Sequence, residues 1–252
     1  TLSGSYLYNN SGTTVGIGTT SPSDKLHVMG NIRVDAGKIP FVNTGNAVFI
    51  GDSAGLNDDL TNNNSVFIGK NAGRANTTGT DNIAIGKNAL YQGASSNYNI
   101  AIGENVLGGS SMSGNTNVSV GNFSMQANTS GYDNIALGQN TMERNTTGNG
   151  NTALGSYALN YNTTGVDNVA IGNSVMQSNT QGKENIALGL SAGINNVTGN
   201  YNIFIGSYTT ANTGSSNNVI IGSNAGGNAT AGSGNVFLGN LAGYNESGSN
   251  KL

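Results

Sequence analysis

Asn82-Ile83-Ala84-Ile85-Gly86 recurs as Asn99-Ile100-Ala101-Ile102-Gly103, Asn134-Ile135-Ala136-Leu137-Gly138, Asn168-Val169-Ala170-Ile171-Gly172 and Asn185-Ile186-Ala187-Leu188-Gly189. Anchoring on the closing glycine gives twelve copies, ending at Gly51, Gly69, Gly86, Gly103, Gly121, Gly138, Gly155, Gly172, Gly189, Gly206, Gly222 and Gly239. The spacing is 16 to 18 residues, most often 17. An asparagine stands four before the glycine in the last ten copies. In the first two it stands five before, as Asn46 and Asn64. A fixed period of this length marks a repeat architecture.

The residues three and one before each glycine are Ile, Val or Leu, with Thr152 the exception. Such residues favour a short strand, and the two outer ones share a face. The glycine turns the chain where a Cβ would be costly. A second short segment follows, such as Lys87-Asn88-Ala89-Leu90 or Ser156-Tyr157-Ala158-Leu159. A turn comes next, often Asn-Thr-Thr-Gly as at 76–79, 145–148 and 162–165. Asn suits such turns because it tolerates left-handed backbone and bonds nearby backbone groups. One period holds two strands of about four or five residues and two turns, with no room for a useful helix. The expected fold class is all-β: a parallel β-solenoid of twelve coils of about 17 residues. At ~4.8 Å per coil it would be roughly 55–60 Å long. Asparagines in register would form ladders of side-chain amides along the axis. The solenoid is assigned to residues 44–245, a capping or connecting module to 1–43, and a tail or onward connection to 246–252.

Composition narrows the function. Of 252 residues, 44 are Asn and 40 Gly, while charged residues are 8%, against a typical quarter. With no Cys there are no disulfides, thiol chemistry or Cys-ligated metals. A single histidine, His27, excludes His-cluster metal sites and argues against a His-based triad. Net charge −3 with 9 Lys and Arg offers no basic footprint for nucleic acid. No apolar run approaches the ~20 residues of a membrane span. The chain is thus expected to lack a cofactor, a catalytic site, nucleic-acid binding and membrane insertion. It begins at Thr1 with no visible signal peptide, so it is expected to be processed or part of something longer.

Two columns vary together. Two before the glycine stand Phe49, Phe67, Ala84, Ala101, Ser119, Ala136, Ala153, Ala170, Ala187, Phe204, Ile220 and Phe237. Four after it stand Gly55, Gly73, Leu90, Leu107, Met125, Met142, Leu159, Met176, Gly193, Thr210, Gly226 and Gly243. A large residue in one column accompanies Gly or Thr in the other, and Ala or Ser accompanies Leu or Met. The pair Ala187 and Gly193 breaks the rule. Packed interiors tolerate volume-conserving exchanges, so the two columns are expected to share one buried layer. Strand alternation sends the Ile/Leu columns one way and the Phe/Ala column the other. With the Ile/Leu columns filling the roll, Phe49, Phe67, Ala84, Ala101, Ala136, Ala153, Ala170, Phe204, Ile220 and Phe237 would face outward as the core of an oligomer. An uncovered apolar row of that size calls for a partner, and the closed solution is cyclic.

Candidate chemistry is sparse. Asp81, Asp133, Asp167 and Glu184 all lie five before their glycine, with Asp167 and Glu184 on successive coils. Such a pair could be half a Ca²⁺ site or a glycosidase pair, and Asp58-Asp59 is a second Ca²⁺ candidate. The plainer reading of all of them is solubilising turn acids. The sequons at Asn76 and Asn145 are read as turn chemistry, and His27 as a surface or interface residue. Exposed tyrosines suit sugars and protein surfaces, which makes Tyr91, Tyr98, Tyr132 and Tyr161 the candidate receptor contacts. Tyr91 and Tyr98 bracket a turn that departs from Asn-Thr-Thr-Gly, and the turn at 108–114 departs too. Such departures on a rigid scaffold are reasonable places for recognition.

The unit Asn-x-[Ile/Val]-Ala-[Ile/Leu]-Gly resembles the head repeats of trimeric autotransporter adhesins. The resemblance covers about residues 44–245 and implies a homotrimer of left-handed parallel β-rolls. The period here is longer and more constant, and no neck, coiled-coil stalk or membrane anchor is seen in this sequence. The stretch from Val15 to Ile32, with Ser21-Pro22 and alternating Leu26, Val28 and Ile32, looks like a segment common in phage tail fibres. Similar segments occur in surface proteins that end in a self-cleaving intramolecular chaperone. The expectation is an extracellular, trimeric, structural and adhesive segment that holds or forms a surface for a host receptor, such as a glycan. A phage tail fibre is the first reading and a bacterial surface adhesin or appendage the second. Ice binding through Thr78, Ser95, Ser113, Ser130, Thr147 and Thr164, and a polysaccharide-degrading tailspike, are the remaining alternatives.

Overall fold

The computed structural model describes residues 7–10, 14–17, 19, 21, 26–29, 46–59, 61, 63–110, 112–211, 213–228 and 230–252. The chain divides into two compact units, residues 1–41 and 42–252. In the first, β1 (Leu7–Asn10) pairs antiparallel with β2 (Thr14–Ile17), which pairs parallel with β3 (Leu26–Val28). His27 lies half-buried in β3. Pro22, Asn31 and Ile32 lie outside the described residues.

The second unit is the solenoid. Its strands are β4 (Val48–Ile50), β5 (Val66–Ile68), β6 (Ile83–Ile85), β7 (Ile100–Ile102), β8 (Val118–Val120), β9 (Ile135–Leu137), β10 (Thr152–Leu154), β11 (Val169–Ile171), β12 (Ile186–Leu188), β13 (Ile203–Ile205) and β14 (Val219–Ile221). After the short β15 (Thr230–Ala231) comes β16 (Val236–Leu238). Together, β4 to β14 and β16 make one twelve-stranded parallel sheet in sequence order, enclosing about eleven turns. Register is exact from coil to coil: Ala153 faces Ala136 on one side and Ala170 on the other. The two-residue β15 pairs with β17 (Ser247–Gly248). Among the described residues there is no helix.

Each coil holds one three-residue strand, and among the described residues the expected second strand just after the glycine is absent. In its place the residues two and four after the glycine take left-handed backbone, Thr210 excepted: Asn88 has φ 56° and Leu90 φ 51°, Tyr157 60° and Leu159 48°. An extended strand would send Ala89 and Leu90 to opposite sides. With left-handed residues alternating, both side chains turn inward and both are fully buried. The backbone still bonds between coils, the Leu90 N–H to the Val106 carbonyl and the Asn88 N–H to that of Lys70. The second wall is therefore a ladder of turns. Left-handed backbone costs an L-residue roughly 1–2 kcal/mol. Burying a Leu or Met side chain returns about 1.5–3 kcal/mol, which lets the conformation persist without glycine.

The strand faces are also reversed from the expectation. The middle residue of each strand points into the roll: Phe67, Ala84, Ala101, Ala136, Ala153, Ala170, Phe204 and Ile220 are 0% exposed and Phe237 4%. Phe49 is half-buried, its ring stacked on Phe67 at 5.3 Å. This column is the core of a single chain and is not an interchain layer. The physical reason is thickness. The turn wall already sends two side chains inward per coil, so a Leu or Met there leaves room for only an alanine from the strand.

The volume exchange is real and lies inside the roll. A Cβ on Gly73 would lie 2.5 Å from the Phe67 ring, and one on Gly55 2.9 Å from that of Phe49. The exception at Ala187 is explained by the neighbouring coils. A Cβ on Gly193 would lie 2.7 Å from the Phe204 ring, one coil on, and 3.1 Å from Met176, one coil back. The repeat glycines are required by conformation and by packing. Gly155 has φ +127°, and a Cβ there would strike the backbone of Gly172.

Asparagine ladders run the length of the core. Asn151 Nδ2 donates to Asn134 Oδ1 at 3.1 Å and to the Gly165 carbonyl at 2.9 Å. Its own Oδ1 accepts from the Asn168 backbone N–H and Nδ2, both at 3.0 Å. The same pattern links Asn82, Asn99, Asn117, Asn134, Asn168, Asn185, Asn202 and Asn218. Every one of these side chains is fully buried. Because all the amides point the same way along the axis, each bond polarises the next. At the first coils the position passes to Ser65, whose Oγ accepts from the Asn82 N–H. A second ladder in the turns joins Asn128, Asn145, Asn162, Asn179 and Asn196.

Candidate interaction faces

With the middle residue turned in, both flanking residues of every strand turn out. Val48, Val66, Ile83, Ile100, Val118, Ile135, Thr152, Val169, Ile186, Ile203, Val219 and Val236 form one outward column. Ile50, Ile68, Ile85, Ile102, Val120, Leu137, Leu154, Ile171, Leu188, Ile205, Ile221 and Leu238 form the other. All are half-buried or exposed, with Ile135 at 40% and Leu238 at 64%. The strip runs the length of the sheet, about 53 Å at the ordinary strand spacing, and is two side chains wide. Its area is on the order of 600 Å², the upper end of what a single soluble chain exposes. At the glycine-side edge it is bordered by charges, including the Lys87–Glu104 ion pair at 2.8 Å and Lys70–Asp52 at 3.6 Å. The alternation of the sequence marks these same columns, but they lie on the opposite side of the sheet from the one it suggests.

The candidate tyrosines occupy different columns and do not form one row. Tyr91 lies five after its glycine and Tyr98 five before; Tyr132 lies six before and Tyr161 six after. Tyr98, Tyr132 and Tyr161 are exposed. Tyr91 is half-buried, and its hydroxyl accepts a 2.9 Å bond from Arg74 Nη1, whose guanidinium lies 5.7 Å from the ring centroid. Tyr161 is covered in the same way by Arg144 at 4.5 Å. In each case the arginine sits one coil earlier in a nearly equivalent position, a pairing that only the coil register reveals.

The acids are placed as turn residues. Asp167 and Glu184 stand exposed on successive coils, each with left-handed backbone. Among the described residues no three His, Cys, Asp or Glu come together as metal ligands. Asp58 Oδ2 accepts from Asn63 Nδ2 and Asn76 Nδ2. It acts as an acceptor for the first turn asparagine of the solenoid. Asp59 Oδ1 accepts from the Thr61 hydroxyl at 2.7 Å and the Thr61 N–H at 2.9 Å. Those bonds hold its carboxyl below the ordinary carboxylate range. The sequon asparagines Asn76 and Asn145 are fully buried. Thr78, Ser95, Ser113, Ser130, Thr147 and Thr164 are exposed in a single column. In the adjacent column, Thr129, Thr146 and Thr163 donate their hydroxyls to the next coil's backbone.

No helix among the described residues is long and apolar enough to cross a membrane. Compared with family models, curated proteins and solved structures, the chain finds no match.

Proposed function

We propose that this chain is a structural and adhesive fibre segment, a stiff rod that assembles with copies of itself through the aliphatic sheet face and presents its turn wall to a receptor. The observation that carries this reading is the double column of Ile, Val and Leu maintained on the outer face of twelve successive strands. Among the described residues none buries it, and a buried fate explains why it carries Thr152 as its one polar residue. A second copy presents the same strip, so self-association matches apolar length to apolar length and coil to coil. Three chains about a common axis close such a face completely, in keeping with the trimers that the repeat motif resembles. The rod then serves by length, rigidity and a repeated surface, without chemistry of its own. A host-attachment fibre of a phage is the setting favoured by the segment from Val15 to Ile32, which puts the protein outside the cell, on a virion. A bacterial surface adhesin uses the same physics.

The test is mass. Light scattering on the purified chain should report three copies, and Ile135→Lys with Leu137→Lys should reduce it to one while the far-ultraviolet circular dichroism stays unchanged. A wild-type chain that remains a single copy at high micromolar concentration overturns the reading.

A further inference from the structure

Resting on the adhesive reading, we propose that the turn wall carries a binding groove for a neutral saccharide, centred on Gly108. Three successive coils place Tyr91, Gly108 and Gln126 at the same position, five after the repeat glycine. The missing side chain at Gly108 opens a groove of about 340 Å³ between Tyr91 and Gln126, with Asn71, Asn88 and Asn105 along its side. That space accommodates one or two hexose rings.

The lining chemistry is that of a sugar site. Asn71 Nδ2 donates to Asn88 Oδ1 at 3.1 Å, and Asn88 Nδ2 to Asn105 Oδ1 at 2.9 Å. The row therefore stands as an ordered line of planar amides one coil apart. It ends at Asn105, because the same position on the next coil is Phe123, which has no acceptor to offer. The Asn105 amide hydrogens and the Gln126 amide together supply the donors and acceptors that a vicinal diol requires. Tyr91 adds a ring for the C–H face of a pyranose and a hydroxyl at its rim. The Arg74 bond holds that ring in place before any ligand arrives, which lowers the ordering cost of binding. None of the six lining residues is charged, and the cation beside them, Arg74, is already engaged by the Tyr91 hydroxyl at 2.9 Å. Its lining is too polar for a lipid. The smaller groove near Thr210, about 190 Å³, has no aromatic residue in its lining and lacks this combination.

Gly108 also provides a clean test. A Cβ there would find its nearest atom, the Asn105 carbonyl oxygen, at 3.7 Å, so a side chain fits without backbone strain. Gly108→Gln would reproduce the residue of the next coil and fill the groove. The assembled chain is presented with free oligosaccharides of glucose, galactose and N-acetylglucosamine, and binding is read by saturation-transfer NMR and calorimetry. We expect at least one of these probes to bind. Gly108→Gln and Tyr91→Ala should each weaken it at least tenfold with unchanged circular dichroism, and Tyr208→Asn on a distant coil should not. No transfer from any probe, or undiminished binding by Gly108→Gln, overturns the proposal. Labelled assembly that attaches to cells yet binds none of the sugars sinks the groove and leaves the adhesive reading standing. Sugar binding that is lost in Gly108→Gln, by an assembly that attaches to no cell surface, supports the groove and removes that reading.

Discussion

The coils from Asn128 to Gly189 and those from Arg74 to Asn117 share one core, yet they differ in their turns, and the coil from Gly103 to Gly121 is one residue longer. In the first stretch the turn ladder is unbroken, with Asn145, Asn162 and Asn179 each donating to the asparagine one coil back. In the second, Gly93 stands where the next asparagine belongs. Asn76 Oδ1 and Ser96 Oγ are then left buried without a partner. Two coils with shortened side chains, at Gly93 and Gly108, thus supply both the orphaned polar atoms and the groove. The strand wall and the core keep their register through every coil, since each coil is the template for the next. The turns do depart from it, at the buried Gly93 and at the half-buried Gly108. Regularity holds the solenoid together, and lapses in regularity give it distinct surface features.

The sharpest way to break the regular stretch is to overfill its core. Ala136→Phe places a ring against Met142 and should lower stability by about 3 kcal/mol or more in chemical denaturation. Ala136→Phe combined with Met142→Gly recreates the Phe67 and Gly73 arrangement. It also frees a residue at φ 49° from its strain, and should recover most of the loss. Equal damage from both would show that the two columns are not one layer.

Next in size is the ladder. Asn151→Leu leaves the buried Asn168 N–H without its acceptor and removes one bond each from Asn134 Oδ1, the Gly165 carbonyl and Asn168 Nδ2; it should cost about 3 kcal/mol, read as a fall in thermal midpoint. A change below half of that would mean that the ladder adds little beyond packing.

The irregular stretch should respond in the opposite direction. Gly93→Asn offers Nδ2 to the orphaned Asn76 Oδ1 and to the Ser96 carbonyl, as Asn145 does to Asn128 and Gly148. A gain of about 1 kcal/mol is expected. A loss would show that the contacts with Ser96 Oγ and Leu90, at 2.8 and 2.9 Å from the new Cβ, cannot relax.

The smallest effect belongs to Asp59. Its folded pKa is lowered, so its contribution is present above the unfolded value and lost as pH falls through the folded one. Thr61→Val should remove the hydroxyl donor and raise the acid midpoint of that carboxyl in an NMR titration; an unmoved midpoint would assign the shift elsewhere.

Much of this was legible in residues alone. The exchange of Phe67 with Gly73 against Ala84 with Leu90 shows that two columns share a layer, because volume must be conserved wherever both are buried. The asparagine four before each glycine announces a ladder, because a buried amide at a fixed period can be satisfied only by its own copies. Other features were not legible. Leu90 at φ 51° violates local preference, so no propensity argument could have replaced a second strand with a turn wall. Arg74 over Tyr91 joins residues 17 apart, and Gly108 opens a groove only because its neighbours one coil away are Tyr91 and Gln126.

The amino-acid order by itself determined the period, the strand in each coil, the in-register amides and the paired columns, since these depend on spacing and volume alone. Which face of the strand is inside was decided only by the closed coil. Alternation is symmetric under a flip of the sheet, so Ile135 and Leu137 could be inside with Ala136 out, or the reverse. The left-handed turns across the roll break that symmetry: they send two side chains inward at each level and leave space for one small residue from the strand.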